Sequence, residues 1–207
     1  MPLNGLRWSR NSGSANCDMP RSAVFGRSVG GVIAYYSLCR YLPNSTFPIV
    51  GHIIEKIRWC CCKMIFKRCD KKANIEKLAH FGKGFDIEIG YHSSIGKNAK
   101  IPPNIIIGRD VMMGNNVTIF SSSHKFDRTD IPMLLQGSQS FPPFIIEDDV
   151  WIGQNVIILP KVGIIRKGTI IGAGSVVTKS FPAYSIIGGN PAKLIRLRKR
   201  DSDGQMV

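Results

Sequence analysis

From Ile89 onward an aliphatic residue recurs at every sixth position: Ile89, Ile95, Ile101, Ile107, Met113 and Ile119. Glycine follows at 90, 96, 108 and 114, and proline at 102. Four positions after each aliphatic stands a small or β-branched residue: Ser93, Ala99, Ile105, Val111, Val117 and Ser123. Turn-prone pairs such as Lys97-Asn98, Arg109-Asp110 and Asn115-Asn116 lie between them. The period returns at Ile146, Ile152 and Ile158, with Val150, Val156 and Val162 four on. A helix repeats at 3.6 and a strand at 2, so neither alone explains a period of six. One short strand followed by one tight corner does, and three such units close a coil of about 18 residues. Coils stacked about 4.8 Å apart would place the aliphatics in one central column. Glycine and asparagine at the corners tolerate left-handed backbone angles.

After Ile158 the register needs one extra residue, and Ile165, Ile171 and Val177 then restore it. A one-residue bulge near Gly163-Ile164 is expected. The alternative column Ile164, Ile170 and Val176 keeps strict sixes but misplaces the glycines. The pattern predicts an all-β repeat fold, a parallel β-helix of hexapeptide repeats with about four to five coils over 73–190. Residues 75–88, with Ile75 and Phe81, supply most of the first coil. Residues 125–145 break the period and carry Pro132, Pro142 and Pro143. They read as an inserted, protruding loop.

Upstream the texture differs. Residues 1–28 lack any period, are rich in Ser, Asn, Gly and Arg, and are expected to be disordered. Residues 29–72 read as a helical extension, with a short helix over 29–42 ended by Pro43-Asn44-Ser45. A second, amphipathic helix runs from Ile49 to Cys69. Its apolar positions are Ile53, Ile54, Ile57, Cys61, Met64 and Ile65, with Glu55, Lys56, Arg58, Lys63, Lys67 and Arg68 between them. It serves either as a lid on the repeat domain or as a membrane-surface helix. Residues 191–207 form a basic C-terminal segment around Arg196–Arg200.

The chain has 207 residues, suited to one main domain with appendages. Its net charge of +14 is uneven. Residues 1–72 hold 12 Lys/Arg against 3 Asp/Glu, whereas 73–145 hold 7 against 6. A basic tail can meet nucleic acid, anionic lipid or phosphate. No nucleic-acid motif or aromatic platform accompanies the charge, so nucleic acid is not an expected partner. A peripheral contact with anionic membrane is. The longest uncharged apolar stretch, Val29–Cys39, is 11 residues, short of the roughly 20 a spanning helix needs. Three of the six cysteines are consecutive (Cys60, Cys61, Cys62), and no Cys/His spacing suggests zinc. Reduced thiols, no secretory signal, a cytoplasmic location and no metal are expected.

Three motifs carry a family resemblance. They are Ile146-Glu147-Asp148-Asp149-Val150-Trp151-Ile152-Gly153, the run Ile171-Gly172-Ala173-Gly174-Ser175-Val176-Val177-Thr178-Lys179, and Gly189-Asn190-Pro191-Ala192-Lys193. Residues 89–196 resemble the left-handed β-helix acyltransferases of the hexapeptide-repeat superfamily, and within it the maltose/galactoside acetyltransferase group. The segment 112–137 is similar to O-acetyltransferases of bacterial surface-polysaccharide synthesis. The resemblance implies left-handed coiling, acetyl-CoA as donor, a sugar hydroxyl as acceptor, and a homotrimer with active sites between subunits.

The general base of such enzymes is a histidine where a loop leaves a coil. Here the hexad starting at Ile119 runs out at His124, which matches that position. On residues alone it reads equally as a solvated side chain. Histidine exchanges protons near neutral pH, so it could deprotonate an acceptor hydroxyl and return the proton to the departing thiolate. By resemblance, Gln154, Ala173, Thr178, Lys179, Lys193 and Arg196 would contact CoA, the last two meeting its phosphates. Asp127 and Asp130 could orient His124, and Trp151 could wall the acceptor site. Lys161, where relatives usually have glycine, and the extra residue near Gly163 depart from the pattern. Alternative readings are a xenobiotic or serine O-acetyltransferase, or an inactive β-helix scaffold. A β-helical carbonic anhydrase would need a second histidine near His124, and there is none.

Overall fold

In a computed structural model the chain is described over residues 21–198, and it is a parallel β-solenoid carrying a helical cap at its N-terminal end. The first coil holds β1 (Arg68–Cys69) and β2 (Asn74–Ile75), and the second holds β3 (Glu88–Ile89) and β4 (Ser94–Ile95). The third holds β5 (Ile106–Ile107), β6 (Met112–Met113) and β7 (Thr118–Ile119). A hairpin of β8 (Ser122–His124) and β9 (Ser138–Ser140) then leaves the solenoid. The fourth coil holds β10 (Ile145–Ile146), β11 (Trp151–Ile152) and β12 (Ile157–Ile158). The fifth holds β13 (Ile164–Ile165), β14 (Ile170–Ile171) and β15 (Val176–Val177). The antiparallel pair β16 (Ser185–Gly189) and β17 (Ala192–Leu197) closes the end.

The sixfold column is the core. Ile75, Ile89, Ile95, Ile107, Met113, Ile119, Ile146, Ile152, Ile158, Ile165, Ile171 and Val177 are all buried. Each such aliphatic contributes about 1.5–3 kcal/mol relative to exposure. The residues four on are buried too, apart from the half-buried Ser123 and Phe181, and the Ser93 and Ser175 hydroxyls among them bond the backbone. Ser93 donates to the Gly108 carbonyl at 2.7 Å and accepts from the Val111 amide at 3.0 Å. Left-handed angles fall one residue before these, at His92, Asn98, Asp110, Asn116, Asp149 and Asn155. The glycines after the aliphatics are needed for a different reason than corner angle. A Cβ on Gly96 would lie 1.9 Å from the Gly114 carbonyl oxygen of the next coil, and one on Gly114 would lie 2.6 Å from the Gln154 amide.

The coil spacing registers each departure from eighteen. Ile89 pairs with Ile107, eighteen residues on. Ile146 pairs with Ile165, nineteen on, as the bulge requires. The extra residue sits in a 3-10 turn over Pro160–Val162 followed by Gly163 at φ +67°.

Helices α1 (Arg21–Ser37) and α2 (Gly51–Ile65) cap the first coil. Of the stretch 1–28 expected to lack structure, residues 1–20 lie outside the described part and 21–28 begin α1. Residues 199–207 of the basic C-terminal segment also lie outside it. The buried face of α2 differs from the expected one. It holds Ile54, Arg58, Cys61, Cys62 and Ile65, while Ile53, Ile57 and Met64 face solvent. Arg58 draws the helix round, because its fully buried guanidinium donates to the carbonyls of Ile75, Leu42 and Pro43. Tyr35 and Tyr36 of α1 donate to the carbonyls of Ala79 and Gly82, each at 3.0 Å. No described helix is long and apolar enough to cross a membrane.

Candidate active site

His124 ends β8 and pairs with Ser138 across the hairpin. Its imidazole is exposed and makes no side-chain hydrogen bond among the described residues. The hairpin leaves from Phe120, whose amide donates to the Ile158 carbonyl; Leu159 in turn donates to Val177. Phe120, Leu159 and Thr178 therefore stack along one edge of the prism. The hairpin bearing His124, the Pro160–Val162 turn with exposed Lys161, and Thr178-Lys179 share that edge. The Lys179 ammonium lies 5.6 Å from the Phe181 ring centroid.

Gln154 and Ala173 occupy a different edge. Gln154 follows β11 and accepts at its carbonyl from the Gly174 amide at 2.9 Å. Ala173 is stacked over Gly153, so close that a glycine Cβ would lie 2.6 Å from its amide. Both side chains are exposed. This edge is stiffened by an asparagine ladder, Asn98 to Asn116 to Asn155, with 3.0 Å amide–amide hydrogen bonds.

Trp151 stands on the flat face that ends at the Gln154 edge. It points outward, 51% exposed, in register with Met112 and Ile170. Lys193 and Arg196 lie exposed on β17, the last strand of the same sheet. The loop beyond His124 is held by Gln136, which donates to the carbonyls of Arg128 and Ile131 and accepts from the Arg128 amide. Asp130 is engaged by Arg128, which holds its carboxyl below the ordinary range. Asp127 is exposed. Neither acid hydrogen-bonds His124 among the described residues. Leu134 and Leu135 at the loop tip are exposed. Among the described residues no group of three or more His, Cys, Asp or Glu could hold a metal.

The family model for the hexapeptide repeat of succinyl-transferase matches residues 87–121 and 143–179, breaking where the hairpin leaves. The hexapeptide-repeat-containing acetyltransferase VCA0836 of Vibrio cholerae superposes with a TM-score of 0.67 at 26% identity, over 84% of this chain and 92% of that one. In repeat pattern and fold this chain is similar to the hexapeptide-repeat acetyltransferases. A galactoside acetyltransferase in complex with coenzyme A superposes with a TM-score of 0.61 at 25% identity, over 87% of this chain and 84% of that one. A probable macrolide acetyltransferase of Lysinibacillus sphaericus is 58% identical over 57 residues, 28% of this chain and 31% of that protein. The chain spans less than half the length of the curated relatives it matches.

The hexad pattern put His124 where the loop leaves a coil, while Gln154, Ala173, Thr178, Lys179, Lys193 and Arg196 came from the resemblance, and the pattern did not say which edge each occupies. It gave no sign that Met112 flanks Trp151. The signal was there, since the residue before each buried aliphatic points outward, and at 112 and 151 that residue is large and apolar.

Proposed function

We propose that this protein transfers acetyl from acetyl-CoA to a sugar hydroxyl, in the assembly of a surface polysaccharide in the cytoplasm, by direct attack. The placement of His124 carries the reading. An exposed imidazole, unengaged among the described residues, ends the strand that leaves the solenoid at Phe120, on the edge that carries Leu159 in the next coil and Thr178-Lys179 in the one after. His124 takes the proton of the acceptor hydroxyl as its oxygen attacks the thioester carbonyl. The tetrahedral adduct collapses, the carbon–sulfur bond breaks, and the imidazolium returns the proton to the CoA thiolate. The product is an acetyl ester, and no acyl-enzyme forms. The CoA-bound galactoside acetyltransferase supports the donor and the acceptor class.

The two edges imply a shared site. His124, Thr178 and Lys179 stand on one, and Gln154 and Ala173 on another. A homotrimer would bring the second edge of one copy to the first edge of its neighbour, with Trp151 and Met112 lining the seam. Lys193 and Arg196 then meet the CoA phosphates as charge-assisted donors. The macrolide acetyltransferase relative favours a second reading, in which the acceptor is a drug hydroxyl.

The test is CoA-thiol release with a panel of sugars and macrolides, beside His124→Ala. Sugar-dependent release that falls about 100- to 10,000-fold in the variant supports the reading. Macrolide-only release transfers it to the second reading, and undiminished release in the variant removes His124 from the mechanism. CoA binding with no turnover by any acceptor would show the panel lacks it. No CoA binding would mean the solenoid is a scaffold.

A further inference from the structure

The apolar residues that α2 turns away from the solenoid form a stripe with helical spacing. Val50, Ile53, Ile57 and Met64 are all exposed, and Cys60 lies among them. Ile49 beside Val50 is 97% exposed. Lys56 and Lys63, both exposed, run along one margin of this stripe. The opposite margin is the buried side, where Gly31 of α1 packs near Met64 and Ile65. Past the lysine margin a groove of about 600 Å³ separates α2 from the first coil. Lys56, Trp59, Lys71 and Lys72 line it, with Glu55 as its acid. The Lys63 ammonium sits 4.8 Å from the Trp59 ring centroid, and Lys72 sits 5.5 Å from that of Tyr91.

We infer that the α2 face is a docking surface for an anionic lipid bilayer. The stripe enters the acyl boundary, and Lys56, Lys63, Lys71 and Lys72 meet the headgroup phosphates. An interfacial helix needs this arrangement, an apolar strip edged by cations on a helix too short to span. The charge agrees, since the N-terminal 72 residues hold 12 Lys/Arg against 3 Asp/Glu. The inference deepens the proposed function, because it brings the enzyme to a lipid-linked acceptor, and it is tested without that acceptor.

The experiment is co-sedimentation of the full chain with phosphatidylglycerol-containing vesicles and with pure phosphatidylcholine vesicles. The comparison proteins are Ile53→Ser/Ile57→Ser and Lys56→Glu/Lys63→Glu. All of these positions are exposed, and thermal melts confirm folding. The expected result is binding to anionic but not neutral vesicles, lost in molar salt and weakened about tenfold or more by either pair of substitutions. Absence of binding at low salt, or undiminished binding by the serine variant, overturns it. A serine variant that changes the molecular mass in solution without changing lipid binding shows instead an interface between copies. Thiol release with a soluble acceptor is expected to be the same in every variant, so failure of docking and failure of the acetyl-transfer reading are separate results.

Discussion

The guanidinium of Arg58, on α2, donates to the carbonyl of Ile75, in the first coil, at 2.9 Å from a position with no solvent exposure. The same group lies 3.6 Å from the Glu76 carboxylate. A buried cation is tolerable when acceptors face it, as three carbonyls face the terminal nitrogens of Arg58, and removing it strands the groups it served. Arg58→Met is therefore expected to lower stability by about 3 kcal/mol, read from urea denaturation followed by circular dichroism. Arg58→Lys is expected to recover only part, because an ammonium cannot reach three diverging carbonyls. A variant as stable as the parent would show that the cap is held by its apolar contacts alone.

The glycine after each core aliphatic makes a sharper forecast. Gly96 has an ordinary backbone angle, yet a methyl there would collide with the carbonyl oxygen of Gly114. Gly96→Ala must spread two coils, at a cost of about 1–3 kcal/mol or more. Gly137, at φ +81° with open space around it, tests the contrast. Alanine there strains only its own loop. A larger loss of melting temperature for the Gly137 variant than for the Gly96 variant would contradict the close-approach argument.

Acid should loosen the cap before the solenoid. Burial pushes the Glu76 carboxyl up, but hydrogen bonds from Ser45 and Asn74 and the charge of Arg58 outweigh it and hold the pKa below its ordinary value. A carboxyl with a depressed folded-state pKa stabilises the fold fully above its unfolded value of about 4.3. That contribution disappears as pH falls through the folded pKa. Urea midpoints are expected to fall as pH drops below the unfolded value, and Glu76→Gln should flatten that dependence. An unchanged slope in the variant would assign the acid sensitivity elsewhere.

The consecutive cysteines should differ in reactivity. Burial pushes the Cys61 thiol up to about 12, helped by its hydrogen bond with Cys39, whose sulfur is 3.0 Å away. Burial likewise drives Cys62 well above its usual value and Cys69 up to about 12. Cys60 is exposed. Because the thiolate is the reactive form, maleimide at neutral pH is expected to label Cys60 and leave Cys61 and Cys62 unmodified. Peptide mass spectrometry distinguishes them. Equal labelling of all three would mean that the cap opens readily.

The solenoid was legible because its period is set by geometry that repeats. Ile165 rather than Ile164 enters the core, as the glycine spacing implied, since a one-residue slip would turn every side chain outward. The glycines themselves were recognisable for an incomplete reason. Corner angles fall on His92, Asn98 and Asp110, whereas close approach is a relation between coils that no single hexad displays. The orientation of α2 was not legible. Apolar spacing favours Ile53 and Ile57 inside, but Arg58 finds carbonyls in Leu42, Pro43 and Ile75 that only the folded chain brings together. The same limit holds at the candidate site. The pattern placed His124 at the exit of a coil, yet which edge it shares with Thr178 depends on how many residues each coil spends in its turns.

The final strand has a consequence for how copies of this protein behave at high concentration. Stacked parallel coils expose an open row of amides and carbonyls at each end, a template on which further strands can add. At the first coil α2 lies across that row. At the other end β17 reverses direction, and the register shifts between Ile186 and Ile187. Lys193 and Arg196 stand on this outermost strand, where charge and an irregular edge discourage pairing. The two cations proposed to greet CoA phosphates thus also terminate growth, and the rod keeps a fixed length instead of becoming a fibre.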